Sequence, residues 1–109
     1  MQHHGGVLTL VRKAAEKKIL FLPHAVRQMS LPERMITGPE VRGVVKTGEL
    51  IEDYPEDVRG HSCLVFGFGE NDRPIHVVCS PKDDYLAIIT AYFPHPNEWQ
   101  DDFRTRKKQ

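Results

Sequence analysis

The sequence contains little cysteine and no long hydrophobic run, and these two scarcities exclude several classes of protein. Its two cysteines, Cys63 and Cys79, lie far apart and lack CxxC spacing, which argues against a zinc site and favours free, reduced thiols. No apolar run approaches the roughly 20 residues that cross a bilayer. The first residues also lack the basic and apolar regions of a signal peptide. We therefore expect a cytoplasmic protein with no membrane contact.

An excess of charge of one sign is also missing, because Lys and Arg together number 15 and Asp and Glu together number 15. Balanced charge argues against binding of nucleic acid over the whole surface. The basic segment 104–108 is either a local nucleic-acid contact or a solvated, frayed terminus. No Gly-rich phosphate loop or nucleophile elbow is found in the sequence, so nucleotide binding by that route and serine hydrolysis have no support.

The length of 109 residues is sufficient for one domain, residues 1–109, with a single modest core. Within it we predict an N-terminal helix over residues 1–18 and a central module over about 19–94. A C-terminal helix and basic tail are predicted over residues 95–109. The apolar run 19–22 is interpreted as either a strand or a buried connector.

The clearest local pattern predicts a helix that begins after Thr37. Thr37 and Glu40 have the spacing of a capping box, and Ile36 and Val41 are placed as a hydrophobic staple across it. Gly48 is predicted to end this helix in the left-handed conformation. A shorter helix is predicted over His24–Met29.

Apolar and β-branched residues then predict four strands, near residues 50–54, 63–68, 75–80 and 85–93. Asn97 is predicted to cap a last helix that contains Trp99 and Phe103. Helices followed by strands indicate an α+β fold, in which N-terminal helices pack on one face of a four-stranded antiparallel meander sheet. A turn of three or five residues centred on Asn71 would also place Cys63 directly opposite Cys79.

Three polar residues in the last two strands are candidates for chemistry. His76 is either a structural core or surface histidine or a general acid or base, since imidazole titrates near neutral pH. Thr90 and Tyr92 share one face of the last strand. The length of the preceding loop decides whether His76 lies opposite Ile88 or Thr90, or instead opposite Ile89.

The segment after Pro23 contains a second group of candidates. His24 is either an ordinary helix-start histidine or a neutral imidazole that acts as an acid or base. Arg27 and Arg34 have the geometry to hold a phosphate by paired hydrogen bonds, although solvated surface arginines are the commoner case.

The order of several short motifs resembles a known bacterial family, domain of unknown function 4258. The motifs that match are Phe21-Leu22-Pro23-His24-Ala25, Arg34-Met35-Ile36-Thr37, Gly48-Glu49-Leu50-Ile51-Glu52-Asp53-Tyr54, Arg73-Pro74-Ile75-His76-Val77-Val78 and Ile88-Ile89-Thr90-Ala91-Tyr92. The resemblance extends over roughly Ile19 to Pro94. Two positions depart from the family pattern: Gln28 stands where an arginine is usual, and Met35 where a glycine is usual.

This family is similar to small toxins of type II toxin–antitoxin systems, with a fold like the RelE-like and barnase-like ribonucleases. The resemblance therefore implies RNA cleavage without a metal or cofactor, by attack of the ribose 2′-hydroxyl on the adjacent phosphate. It implies His24, His76 and Tyr92 as catalytic residues, and Arg27, Arg34 and Thr90 as contacts to phosphate or RNA. The partners that it implies are RNA and a small antitoxin, of a kind that can carry a zinc finger.

Two other functions are compatible with the same residues. The domain could be a non-catalytic binding module whose sheet docks a partner protein and whose histidines are structural. It could also be an inactive domain that only binds an antitoxin-like partner.

Overall fold

The computed structural model describes residues 6–108, which form three α-helices and one five-stranded sheet. The helices are α1 (Gly6–Lys17), α2 (Pro23–Met29) and α3 (Gly38–Thr47). The strands are β1 (Ile19–Phe21), β2 (Glu49–Tyr54), β3 (Ser62–Phe68), β4 (Pro74–Pro81) and β5 (Leu86–Tyr92). The fold is therefore α+β. Its core lies between the helices and one face of the sheet, where Val11, Val41, Val65, Val77 and Ile88 are all buried.

The capping box at the start of α3 is formed as predicted. The hydroxyl oxygen of Thr37 accepts from the Glu40 N–H at 3.2 Å, and Glu40 Oε1 accepts from the Thr37 N–H at 3.0 Å. The end of the helix was predicted wrongly, because Gly48 has a φ of −76° and lies in the extended region. The chain passes from α3 directly into β2 at Glu49, so no left-handed residue is needed. Gly48 is required for space, since a Cβ there would lie 2.4 Å from the Val44 carbonyl oxygen.

The prediction of a four-stranded, wholly antiparallel sheet is wrong. The strand order is β1-β5-β4-β3-β2, and β1 pairs with β5 in parallel, with Ile19 opposite Leu86 and Phe21 opposite Ile88. The other three pairings are antiparallel, as the meander prediction required. A three-residue strand has too few residues to show alternation, and its parallel partner is remote in the sequence. The apolar run 19–22 therefore could not be assigned from local pattern alone.

The predicted C-terminal helix does not form in residues 95–108. This stretch is built of turns and one isolated bridge between Trp99 and Arg106. Asp102 accepts hydrogen bonds from the backbone N–H groups of Arg104 and Thr105, which offers this segment a turn in place of a helix. Phe103 has a φ of 61°, which also interrupts helical geometry. We call residues 94–108 the C-terminal strap, because they cover the sheet face opposite the helices.

The basic residues of the strap are not simply solvated. Arg104 Nε donates to Glu49 Oε2 at 2.9 Å, and its guanidinium lies 4.8 Å from the centre of the Phe66 ring. Arg106 Nε donates to Glu52 Oε2 at 2.8 Å. Both glutamates belong to β2, so these pairs fasten the strap to the edge of the sheet, and the interpretation as a frayed terminus is wrong.

The turn around Asn71 confirms the predicted cysteine register. Phe68 pairs with Pro74, which leaves a five-residue turn over residues 69–73, and Cys63 lies directly opposite Cys79. Both thiols are free and fully buried. The hydrogen bond with Cys63, together with burial, raises the pKa of the Cys79 thiol well above its ordinary value. Cys79 therefore stays protonated at neutral pH.

Gly43 occupies the middle of α3, where glycine normally destabilises a helix. A Cβ built on Gly43 has nothing within 4 Å, so alanine fits there without a clash. We expect Gly43→Ala to raise the free energy of unfolding by about 1 kcal/mol, as measured by urea denaturation. Gly48→Ala is the matched control and should destabilise the protein, because its Cβ would collide with backbone. A loss of stability in Gly43→Ala would contradict this prediction.

Candidate functional site

His76, Thr90 and Tyr92 lie on the same face of the sheet, the face that the C-terminal strap covers. Tyr92 lies directly opposite His76, and Thr90 lies opposite Val78. The predicted partners of His76 were therefore wrong. A β-bulge between Val78 and Cys79 shifts the register, so the length of the loop before β5 is not the only determinant. The bulge brings His76 and Tyr92 together.

His76 is fully buried, and both of its ring nitrogens have partners. Nε2 lies 2.7 Å from the carbonyl oxygen of Phe103, and Nδ1 lies 3.4 Å from the hydroxyl of Tyr92. A carbonyl can only accept, so Nε2 carries the proton and Nδ1 accepts from Tyr92. Burial lowers the pKa of His76, and the raising effects of the Phe103 carbonyl and of the Glu52 carboxylate are smaller. His76 is thus a neutral imidazole sealed beneath the strap.

Tyr92 connects this buried imidazole with an open cleft. Burial raises the pKa of its hydroxyl, which therefore stays protonated at neutral pH and can donate only one hydrogen bond. The same residue lines a cleft of about 540 Å³ between the end of β5 and the connection from α2 to α3. The residues that line this α2–β5 cleft are Glu33, Arg34, Tyr92, Phe93, His95 and Glu98.

The cleft unites two of the sequence-predicted site residues, Arg34 and Tyr92. Arg34 Nη1 donates to the side-chain oxygen of Gln28 at 2.8 Å, which fixes one end of the guanidinium and leaves its other N–H groups for a ligand. Gln28 belongs to α2, one helical turn after His24, so His24 lies on the helix face that holds Arg34. Arg27 is exposed on the same short helix. No hydrogen bond joins His24 to His76, whose two nitrogens are occupied.

Three polar residues of the cleft were not predicted as functional: His95, Glu33 and Glu98. His95 is exposed, and its Nδ1 accepts from the Asn97 N–H at 3.0 Å. The proton of the neutral imidazole is therefore on Nε2, which can donate to a ligand. The one sequence signal for this residue is its position, because His95 stands between Pro94 and Pro96 directly after the last predicted strand.

An ion pair between the buried Glu40 and the partly exposed Arg73 positions the chain segment that carries Arg34. Arg73 Nη2 donates to both carboxylate oxygens of Glu40, at 3.0 and 2.9 Å, and Arg73 Nη1 donates to the Arg34 carbonyl oxygen at 3.2 Å. The Arg73 guanidinium also lies 4.7 Å from the centre of the Phe93 ring, in the cleft wall. Arg73 thus links α3 to both sides of the cleft.

Comparison with known proteins gives one match. Residues 21–93 match the family described as domain of unknown function (DUF4258), which is well over half of the chain. The chain belongs to this family. No curated protein and no solved structure matches it.

The DUF4258 match includes most of the cleft but ends within it. Arg34, Tyr92 and Phe93 lie inside the matched residues, whereas His95 and Glu98 belong to the C-terminal strap. The strap, which buries His76, therefore lies beyond the DUF4258 match.

None of the helices in residues 6–108 has both the length and the hydrophobicity that a membrane crossing requires. Within the same residues, no three His, Cys, Asp or Glu side chains converge as metal ligands would.

Proposed function

We propose that this DUF4258 protein is a toxin-like endoribonuclease that cleaves RNA without a metal, and that it acts at the α2–β5 cleft. The observation that supports this proposal is that Arg34 and Tyr92 line one cleft together with an exposed imidazole and two carboxylates. These groups are the types that 2′-hydroxyl attack requires: a base, an acid and a cation for the phosphorane.

In the proposed reaction the 2′-oxygen forms a bond to phosphorus while the bond from phosphorus to the 5′-oxygen breaks. A carboxylate of Glu33 or Glu98 accepts the 2′-hydroxyl proton, and His24 donates a proton to the leaving 5′-oxygen. The products are a 2′,3′-cyclic phosphate and a 5′-hydroxyl end. Arg34 and the Nε2–H of His95 would hold the phosphate through charge-assisted and neutral hydrogen bonds.

His76 has a positioning role in this proposal rather than a direct one. Its Nδ1 accepts a hydrogen bond from the Tyr92 hydroxyl and thereby orients the ring that forms the cleft wall. Thr90 lies on the strap-covered sheet face next to this pair, so it too would act indirectly. Of the catalytic residues that the family resemblance implied, His24 keeps a direct role in this proposal, whereas His76 and Tyr92 act through position and the cleft carboxylates are added.

Cleavage of a labelled single-stranded RNA in the presence of a chelator tests the proposal. We expect Arg34→Ala to slow cleavage about 30-fold, the effect of losing a charged phosphate ligand. His24→Ala should slow it about 100-fold through loss of the acid. His61→Ala and Arg59→Ala are matched controls, because these residues pair with Asp53 and Asp57 outside the cleft. Absence of cleavage by the wild type would refute the nuclease, and equal rates in all variants would refute the site.

A non-catalytic protein-binding module is the second candidate, and one observation favours it. Val26 and Met35 are 48% and 62% exposed on the segment that also carries Arg27 and Arg34. Exposed apolar side chains beside arginines are typical of surfaces that bind proteins. An antitoxin, including one with a zinc finger, would be a partner of this kind. This candidate predicts that the protein cleaves no RNA.

A further inference from the structure

A groove of about 780 Å³ runs between α1 and α3, on residues that the α2–β5 cleft does not use. Its apolar floor is formed by Ala15, Ile19, Pro39 and Val45. The volume lies in the range of sites that bind ligands, roughly 300–1,000 Å³. The groove is half-open to solvent, so a segment of another chain can enter it from the side.

Gly43 also lines this groove. Glycine destabilises the middle of a helix, and no contact within residues 6–108 explains why one is present here. Nothing lies within 4 Å of the position that its Cβ would occupy. The absent side chain therefore leaves a gap on the groove side of the helix, where the backbone of an incoming segment can approach closely. Glycines that serve internal packing behave differently: a Cβ on Gly67 would lie 3.1 Å from Val44.

The rim of the groove has a strong charge bias. Three cations line it, Arg12, Arg42 and Lys46, against one carboxylate, Glu16. Arg12 is held in place by the carbonyl oxygens of Gly48, at 2.8 Å, and Val45. Arg42 and Lys46 are exposed and stand one helical turn apart, so both can reach the same bound segment.

We propose that this groove docks an acidic amphipathic helix of a partner protein. Apolar side chains of that helix would cover the Ala15 and Val45 floor, its backbone would approach Gly43, and its carboxylates would pair with Arg42 and Lys46. The proposal does not depend on the ribonuclease function, because it uses a different surface and none of the same residues.

Fluorescence anisotropy with a labelled synthetic peptide tests this surface. The probe is a helical peptide with leucines along one face and glutamates flanking them, and its counterpart carries lysines in place of the glutamates. We expect saturable binding of the acidic probe, and binding about tenfold weaker or absent for the basic one. Amide shifts of the labelled protein should then fall on residues 12–19 and 39–46.

Two kinds of variant make the test specific. Gly43→Leu should fill the floor of the groove with a side chain. The double charge reversal Arg42→Glu with Lys46→Glu should remove the positive charge of the rim. Each variant is expected to weaken peptide binding about tenfold or more. Lys13→Glu with Lys108→Glu makes the same charge change outside the groove and should stay within about twofold of wild type. Folding of every variant is checked by thermal melting. Failure of the acidic probe to bind, or equal binding by all folded variants, would overturn the proposal.

Discussion

Replacing Trp99 with alanine is expected to lower the free energy of unfolding by about 4 kcal/mol, measured by urea denaturation. Trp99 is only 2% exposed, and its ring centre lies 4.5 Å from that of His76. The Arg106 guanidinium lies 4.6 Å from the centre of the indole, so the ring packs against both His76 of the sheet and Arg106 of the strap. Truncation would leave a cavity beside the buried, neutral imidazole of His76.

The neighbouring residue Gln100 provides a matched control. Its side chain is exposed, so Gln100→Ala should change the free energy of unfolding by less than about 0.5 kcal/mol. The loosened strap should also accelerate solvent exchange of the His76 Nε2 proton in the Trp99→Ala variant. A destabilisation similar to that of Gln100→Ala would mean that the strap contributes little to the fold.

Replacing Glu40 with alanine is expected to lower the free energy of unfolding by about 3 kcal/mol, because it removes a buried carboxylate and leaves its hydrogen-bond donors and the partly exposed Arg73 without their partner. Glu40 is 6% exposed and accepts from Thr37, Glu70 and Arg73, so one carboxylate caps α3, fixes the turn after β3 and holds Arg73. In the variant Arg73 would lose its anchor, and with it the bond to the Arg34 carbonyl. RNA cleavage at the proposed cleft should therefore fall together with stability.

The pH dependence of the stability of Glu40→Gln distinguishes the contribution of the Glu40 charge from that of its side-chain shape. Burial alone would raise the pKa of Glu40, but hydrogen bonds from Thr37, Arg73 and Glu70 outweigh it and hold the pKa below the ordinary 4.5. A lowered folded pKa gives a contribution that is complete above the unfolded pKa and is lost as the pH falls through the folded value. The stability gap between wild type and Glu40→Gln should thus be full at about pH 7 and shrink below 4.5. A gap that stays constant with pH would contradict the role of the charge.

Local signals in the sequence predicted the parts of the fold that depend on contacts between residues close in the sequence. The capping box of Thr37 and Glu40 and the turn around Asn71 follow from residues within a few positions of one another. The parallel pairing of β1, the bulge beside Val78 and the strap depend on contacts between remote segments. Trp99 and Phe103 have helical spacing, yet without a helix both rings pack on the sheet, Trp99 against His76 and Phe103 against Phe66.

The candidate site was predicted in part for the same reason. Arg34 and Tyr92 were selected by residue type and by family resemblance, and the structure places them in one cleft. His95 was missed because a histidine between prolines has no periodic context that would assign it a face. The sequence left open whether His76 is a core or a surface histidine, since its burial depends on where the strap residues after Pro94 pack.

The parallel pairing of β1 with β5 constrains how the chain can fold as the ribosome makes it. Ile19–Phe21 is synthesised 67 residues before its hydrogen-bonding partner Leu86–Ile88. Until then the first strand presents unpaired backbone groups, which other chains or chaperones can recognise. The sheet can be completed only after this distant contact closes, and closing it carries the entropic cost of a long loop. In a chain whose synthesis stops before Leu86, β1 would therefore have no strand with which to pair.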